Sequence, residues 1–432
     1  MSISPDNLPI LIYNLFPLLA GSITNWESHL DRIFRMGFNW IFINPFNFPG
    51  FSGSMYSIKD YYGFHPKVSA GLSDGEVRHI LMDFIRKSKS MGIKVMADLV
   101  INHTAIDSPL THQHPRWYQM ENGKIKNPCV KEGDIVTVIW GDLAEIDNLN
   151  SPDKENLWNY WLNLLEYYID LGFDGFRCDA AYQVPSLLWK FLIEKGKEKN
   201  KDTVFFAENL GCELKDTLNL ISAGFDVIFN SSKYWDFEQP WCLKQYNATH
   251  KIAPSVSFAE SHDTPRLARE LNFKWDCIKM RYLFSALFSA GVMIPMGFEF
   301  GFSKKLDVVS TSDNDWEHTG VDLTDYIRTC NLTKREYRIF HNDTPIEVLH
   351  TQNKNVFAFL KSGFDNGEKA VVIINKDSAH YQEFYHHNLQ DIFGFYADII
   401  DISPEYPMDH VPCQFHYNLR PCQAKVLYSR LK

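Results

Sequence analysis

Eight short runs rich in apolar, β-branched and aromatic residues punctuate the chain between positions 10 and 300. They are ILIYNLF (10–16), NWIFINPF (39–46), IKVMADLV (93–100), FDGFRCD (173–179), TVFFAE (203–208), FDVIFN (225–230), SVSFAE (255–260) and VMIPMGFEF (292–300). Each run is short enough for a strand buried on both faces, and stretches with helical periodicity separate most of them, which predicts parallel βα units. The clearest helix is SDGEVRHILMDFIRKSKSMG. Ser73 and Glu76 are spaced for a capping box, Val77, Ile80, Leu81 and Phe84 fall on one face, and Gly92 can end it. A second helix is predicted from Ser151 to Gly172, with Leu157, Trp161, Leu164, Leu165 and Tyr168 on one stripe.

Eight strands with helical crossovers predict an α/β fold, a (β/α)8 TIM barrel, although about 250 residues suffice for a barrel and leave chain to spare here. Two places take up the surplus. Residues 104–148, after the third strand, are polar and carry Pro, Gly, His and Trp, predicting a small inserted subdomain. From about 346 the pattern turns to short alternating runs, NVFAFLK, KAVVIIN and AKVLYSRL, predicting a C-terminal antiparallel β domain. The expected division is a catalytic barrel over 1–345, including 104–148, and a β-sandwich-like domain over 346–432.

Composition narrows the partner. The 432 residues carry a net charge of -10, which argues against nucleic acid or an anionic membrane, while 15% aromatic content suits a cleft that stacks a neutral ligand. Eight scattered cysteines without a CxxC pair imply reduced, mostly buried thiols. The start MSISPDNLPILIYNLF lacks the basic beginning of a secretory signal, giving a cytoplasmic expectation.

In a barrel the C-terminal rim of the strands carries the chemistry, so acidic residues that close strands are candidates. Asp98, Asp179 and Glu208 do so, and Glu260 stands just ahead of Asp263. Side chains alternate along a strand, so Arg177 and Asp179 share a face and the guanidinium can hold the carboxylate ionised. Glu208 follows Val204, Phe205, Phe206 and Ala207, an apolar setting that raises a carboxyl pKa and keeps the proton of a general acid. Two carboxyl groups tuned in opposite directions make a glycosidase pair. Singly, each residue has a plainer reading: a structural ion pair for Arg177 and Asp179, a helix cap for Glu208.

DLVINHT (98–104), GFRCDAA (175–181), VFFAEN (204–209) and FAESHDTPR (258–266) resemble, in order, the four signature regions of the α-amylase family of glycoside hydrolases. SMYSIKDYY (54–62) is similar to the family's Tyr-containing loop. The resemblance covers roughly residues 8–300 and extends to the C-terminal β domain. It implies that Asp179 is the nucleophile, Glu208 the acid/base and Asp263 the residue that orients the sugar and stabilises the transition state. It further implies that His103 and His262 bond the sugar in the first donor subsite, that Arg177 orients the nucleophile, and that Tyr56 stacks on the same ring. Arg266 is a further substrate-binding candidate, and Asp98 and Asn102 look like supporting residues. Gln183, Ser57 and Ser261 stand where the family often has His, Asp and Asn, departures that bear on acceptor-side contacts and leave the core chemistry intact.

Asn102 matches a family calcium ligand, yet Gln183 lies where a partner ligand is often supplied, so no essential metal or cofactor is expected. DAAYQVP, the short insertion and GFDVIFNSSKYWDF resemble the branch of maltosyltransferases that use maltose 1-phosphate. The expected function is a retaining hydrolase acting on an α-glucan or maltooligosaccharide. The alternatives are a transglycosylase or maltosyltransferase, and a non-catalytic carbohydrate-binding relative. Oligomeric state, linkage and chain-length preference are left open by the sequence.

Overall fold

The structure, a computed structural model, describes residues 8–132, 135–364, 367–395 and 397–430. Residues 1–7, on which the reading of the N-terminus partly rests, lie outside them, as do 133–134 in the insertion and 365–366, 396 and 431–432 in the C-terminal region.

Each of the eight apolar runs supplies one strand of a closed parallel barrel. The strands are β1 (Ile10–Leu15), β2 (Trp40–Ile43), β3 (Lys94–Leu99), β4 (Gly175–Cys178), β5 (Val204–Ala207), β6 (Val227–Phe229), β7 (Ser255–Phe258) and β8 (Gly291–Pro295), and β8 pairs back onto β1. The helices between and after them are α1 (Leu30–Arg35), α2 (Asp74–Ser90), α3 (Lys154–Leu171), α4 (Ser186–Lys199), α5 (Leu214–Ser222), α6 (Trp241–Thr249), α7 (Trp275–Phe288) and α8 (Thr324–Glu336). This is the (β/α)8 barrel that the spacing predicts.

Period-2 alternation sorts the strand residues between two cores. Ile41 and Ile43, Val95 and Ala97, and Phe176 and Cys178 face the helices. Trp40, Phe42, Met96, Phe206, Val256, Phe258 and Met293 fill the barrel interior. Gly175 is required on the inner row of β4, because a Cβ there would lie 2.6 Å from the Val204 carbonyl oxygen and 3.3 Å from the Trp40 indole. Continuing the inner rows upward leads to the rim: Met96 to Asp98, Gly175 to Arg177 and Asp179, Phe206 to Glu208.

Ser73 and Glu76 form the predicted capping box of α2, and Gly92 follows with φ 75°. Helix α3 buries the predicted stripe but begins three residues later than Ser151. Ser151 Oγ instead donates to the Arg116 carbonyl and accepts the Asp153 N–H, fastening the insertion to the helix start. The chain between β3 and α3 forms short antiparallel pairs, including Cys129–Glu132 with Ile135–Ile139 and His103–Ala105 with Leu143–Glu145. A further antiparallel pair, Asn47–Pro49 with Ile58–Phe64, follows β2 and carries the Tyr56 loop.

Towards the C-terminus, Ile346–Val348, Val356–Ser362, Glu368–Asn375, Ala424–Arg430 and Ile399–Asp401 form an antiparallel sheet, and Gln382–His386 pairs with Phe415–Leu419 beside it. One face of the sheet packs Phe357 and Phe359 against Phe237, Phe284 and Phe288 of the barrel. The other encloses its own core of Val371, Ile373, Phe384, Phe415 and Leu427.

The thiols depart from expectation. Cys277 on α7 and Cys422 ahead of the last strand form a disulfide across 145 positions, and of the six free cysteines only Cys178, Cys242 and Cys330 are buried. Scattered cysteines conceal such a pairing, since proximity arises only when the sheet docks on α7. Replacing Cys277 and Cys422 together by Ser is expected to lower the unfolding free energy by about 2–4 kcal/mol. Urea denaturation under non-reducing conditions checks it, and an unchanged midpoint would contradict a crosslink between sheet and barrel. No helix among the described residues is long and apolar enough to cross a membrane.

Candidate active site

Arg177 is the hub. Its inner-row position on β4 puts it level with Asp98 on β3, and its Nη1 donates to both Asp98 oxygens at 3.0 Å and to Asp179 Oδ1 at 2.5 Å. Its Nη2 lies 3.9 Å from Glu208 Oε2. The guanidinium is only 5% exposed and sits over the Phe42 ring, 5.7 Å from its centroid. Burial works against its charge, and the surrounding carboxylates outweigh that, holding its pKa well above the ordinary guanidinium value.

Glu208 lies just beyond β5 and is buried. Its Oε2 accepts the Ala180 N–H at 2.9 Å and its Oε1 the Leu210 N–H at 2.7 Å. Burial pushes its pKa above the usual carboxylate range, against the pull of Arg177 and of those two N–H groups. Ala180, between Asp179 and the next turn, adopts φ 39°. A non-glycine residue in the left-handed region costs on the order of 1–3 kcal/mol and persists where surrounding structure over-determines it. Here that conformation aims the Ala180 N–H at Glu208.

A cavity of about 470 Å³ is lined by Tyr56, Asn102, His103, Asp179, His262 and Asp263 among others. Tyr56 hydroxyl donates to Asp98 Oδ2 at 2.8 Å and accepts from Asn44 Nδ2 at 3.0 Å. His262 Nε2 lies 2.8 Å from the same hydroxyl and 3.1 Å from Asp263 Oδ2, so Nε2 carries the proton. His262 Nδ1 is then a bare acceptor, buried with no partner among the described residues. The Tyr56 and His262 rings stack at 5.8 Å and 7°. His103 Nε2 donates to the Tyr56 carbonyl at 3.1 Å. Burial lowers the pKa of both histidines, so each is neutral near pH 7. Asp263 differs from the other acids: its side chain is 61% exposed, with His262 beside it.

One predicted residue is elsewhere. Arg266, expected to bind substrate, is fully buried behind the loop: Nη1 pairs with Glu260 at 2.8 Å, Nη2 with the Met296 carbonyl and Nε with the Lys304 carbonyl. Glu260 also accepts the Leu267 N–H at 2.5 Å, so this strand-closing acid braces the turn that presents His262 and Asp263. Where the resemblance puts a calcium ligand, Asn102 turns its Nδ2 to Gln183 Oε1 at 3.1 Å, and its Oδ1 is buried without a partner among the described residues.

Other site residues are not apparent from the motifs. Asn44 holds Tyr56 and is itself held by Asn14, whose Nδ2 donates to Asn44 Oδ1 at 2.7 Å. Their signal was present: each is an amide inside an otherwise apolar run. Trp140 and Leu143 from the insertion, and Val308 and Val309 after β8, wall the cavity. Met55 N–H donates to the Val308 carbonyl, joining that last loop to the Tyr56 loop.

The family described as the glycogen debranching enzyme, glucanotransferase domain, matches residues 7–124. A maltose 1-phosphate maltosyltransferase of Burkholderia pseudomallei is 22% identical over 84% of this chain and 32% of its own length. Alpha-amylase 2 of Dictyoglomus thermophilum is 21% identical over 90% of this chain and 70% of its own. The crystal structure of a maltogenic α-amylase from Thermotoga neapolitana superposes with TM-score 0.78 at 20% identity, covering 100% of both chains. The chain is similar to the α-amylase family, with some likeness to its maltosyltransferases. It spans about a third of the length of the Burkholderia maltosyltransferase.

Proposed function

We propose that the protein is a retaining enzyme acting on α-glucans or maltooligosaccharides, with Asp179 as nucleophile, Glu208 as acid/base and Asp263 as transition-state stabiliser. The observation that carries this reading is the single guanidinium of Arg177 contacting Asp179 and Glu208 from adjacent strands, beside a cavity that Asp179 and Asp263 line. Asp179 attacks the anomeric carbon while Glu208 delivers its proton to the departing oxygen, giving a covalent β-glycosyl ester. Glu208, now a carboxylate, takes the proton of water or of an acceptor hydroxyl that displaces Asp179. Asp263 is exposed and lines the cavity, and its negative charge favours the oxocarbenium-like transition state. Neutral His103 and His262 hydrogen-bond sugar hydroxyls, and Tyr56 offers its ring to the same pyranose. Asp98 and Asn102 hold Arg177 and the Gln183 turn. The catalytic region is assigned to 1–345 and the β-sandwich-like domain to 346–432.

Transfer is the second reading, favoured by the match to a glucanotransferase domain. Maltoheptaose supplied to the protein, followed by proton NMR, tests the first: the α-anomer of the shortened product is expected before mutarotation. Initial β-anomer would contradict a double displacement. Maltose 1-phosphate with a maltooligosaccharide acceptor identifies a maltosyltransferase by elongation with phosphate release.

A further inference from the structure

The turn after Asp179 supplies one of the two N–H groups on Glu208, and its backbone is strained. Ala180 adopts φ 39° and ψ 48°, a conformation that side chains disfavour, and its N–H meets Glu208 Oε2 at 2.9 Å. A strained turn relaxes unless its surroundings hold it. Attachments reach residues 180–183 from three sides. Towards β5, the Ala181 N–H donates to the Glu208 carbonyl at 2.9 Å, and towards α4 the Ala181 carbonyl accepts Trp189 Nε1 at 2.9 Å. On the cavity side Gln183 closes the turn, its N–H on the Ala180 carbonyl at 2.8 Å, and its Oε1 accepts Asn102 Nδ2 at 3.1 Å. Asn102 is buried just beyond β3 and Gln183 is exposed after β4, and both line the cavity. One hydrogen bond between two side-chain amides thus ties the rim of β3 to the turn that holds Glu208.

We propose that Gln183 is a positioning residue for the acid/base: its bridge to Asn102 keeps the strained turn in place and with it the Ala180 N–H on Glu208. This rests on the role of Glu208 given above. Gln183 touches neither the carboxyl group nor the reacting atoms and acts through Ala180.

The direction of the effect follows from what an N–H does to a carboxyl group. Burial favours the protonated form of Glu208, and the Ala180 N–H favours the carboxylate. Loosening the turn weakens that hydrogen bond, so Glu208 keeps its proton to higher pH. The other groups facing Glu208 leave this shift visible. Arg177 and Asp179 are the charged groups beside it and are common to every variant. Burial raises the Tyr182 and Tyr234 hydroxyls and the Cys212 thiol, which stay neutral while Glu208 titrates.

The test follows kcat/KM on maltoheptaose against pH for wild type, Gln183→Met, Asn102→Ala and the double variant. Methionine keeps the length of Gln183 and drops its acceptor. The alkaline limb, which reports loss of the Glu208 proton, is expected about half a pH unit higher in each single variant, a part of what one hydrogen bond to a carboxylate contributes. The double variant should move no further than the singles, because both substitutions break the same bond. Saccharide kcat at the optimum should fall about fivefold in Gln183→Met, since the acid is less well aimed. First-turnover fluoride release from α-maltosyl fluoride, which needs no proton, should fall by less. A limb that stays in place in folded Gln183→Met, shifts that add in the double variant, or an equal fall for both donors overturns the positioning role. A limb that persists in Glu208→Gln overturns the role of Glu208 itself and is recognisable as that separate failure.

Discussion

Asp179→Asn is expected to lower kcat on maltoheptaose by about 10⁴-fold or more while the protein stays folded. The amide keeps the shape of the carboxylate and can still accept from Arg177 Nη1, which also remains bonded to both Asp98 oxygens. What is lost is the negative oxygen that forms the ester. Thermal unfolding should move little, because the buried guanidinium is not left without a partner, whereas Asp98→Asn would remove its principal counter-charge. Turnover within tenfold of wild type in Asp179→Asn would remove Asp179 from the mechanism.

Glu208→Gln is expected to cost about 10²–10⁴-fold on saccharides, the range attributed to a positioned acid or base. The loss should depend on the leaving group. With α-maltosyl fluoride the first step needs no proton, so fluoride release in a first turnover survives, and the second step, which needs a base, becomes limiting. The pH profile carries the same assignment. The first step requires protonated Glu208, and burial raises its pKa, so wild-type activity on saccharides should persist above the ordinary carboxylate range and then fall as that proton is lost. In Glu208→Gln this limb should vanish. A limb unchanged in the variant would assign the proton to another group.

How far the sequence reaches is visible in particular residues. Strand positions follow from the apolar runs and inward rows from the alternation of side chains, which is why Asp98, Arg177, Asp179 and Glu208 are legible: each continues the inner row of its strand. The capping box of α2 was legible because both partners lie within one turn. Residues whose roles depend on distant loops were not. Arg266 shares a motif with Asp263, but the turn between them reverses its direction and sends it to Glu260 and two carbonyls. The start of α3 was misplaced because Ser151 bonds Arg116, thirty-five positions earlier. Asn47–Pro49 was missed as a strand: three residues with an irregular register leave no period to detect. The disulfide and the Asn14–Asn44 pair join elements that only barrel closure or sheet docking brings together.

The most direct measurement is the site of covalent attachment. Glu208→Gln mixed with α-maltosyl fluoride, quenched in acid, digested and analysed by mass spectrometry should yield a peptide carrying one maltosyl group on Asp179. Fluoride release with the label on another residue, or with no labelled peptide at all, would contradict the account.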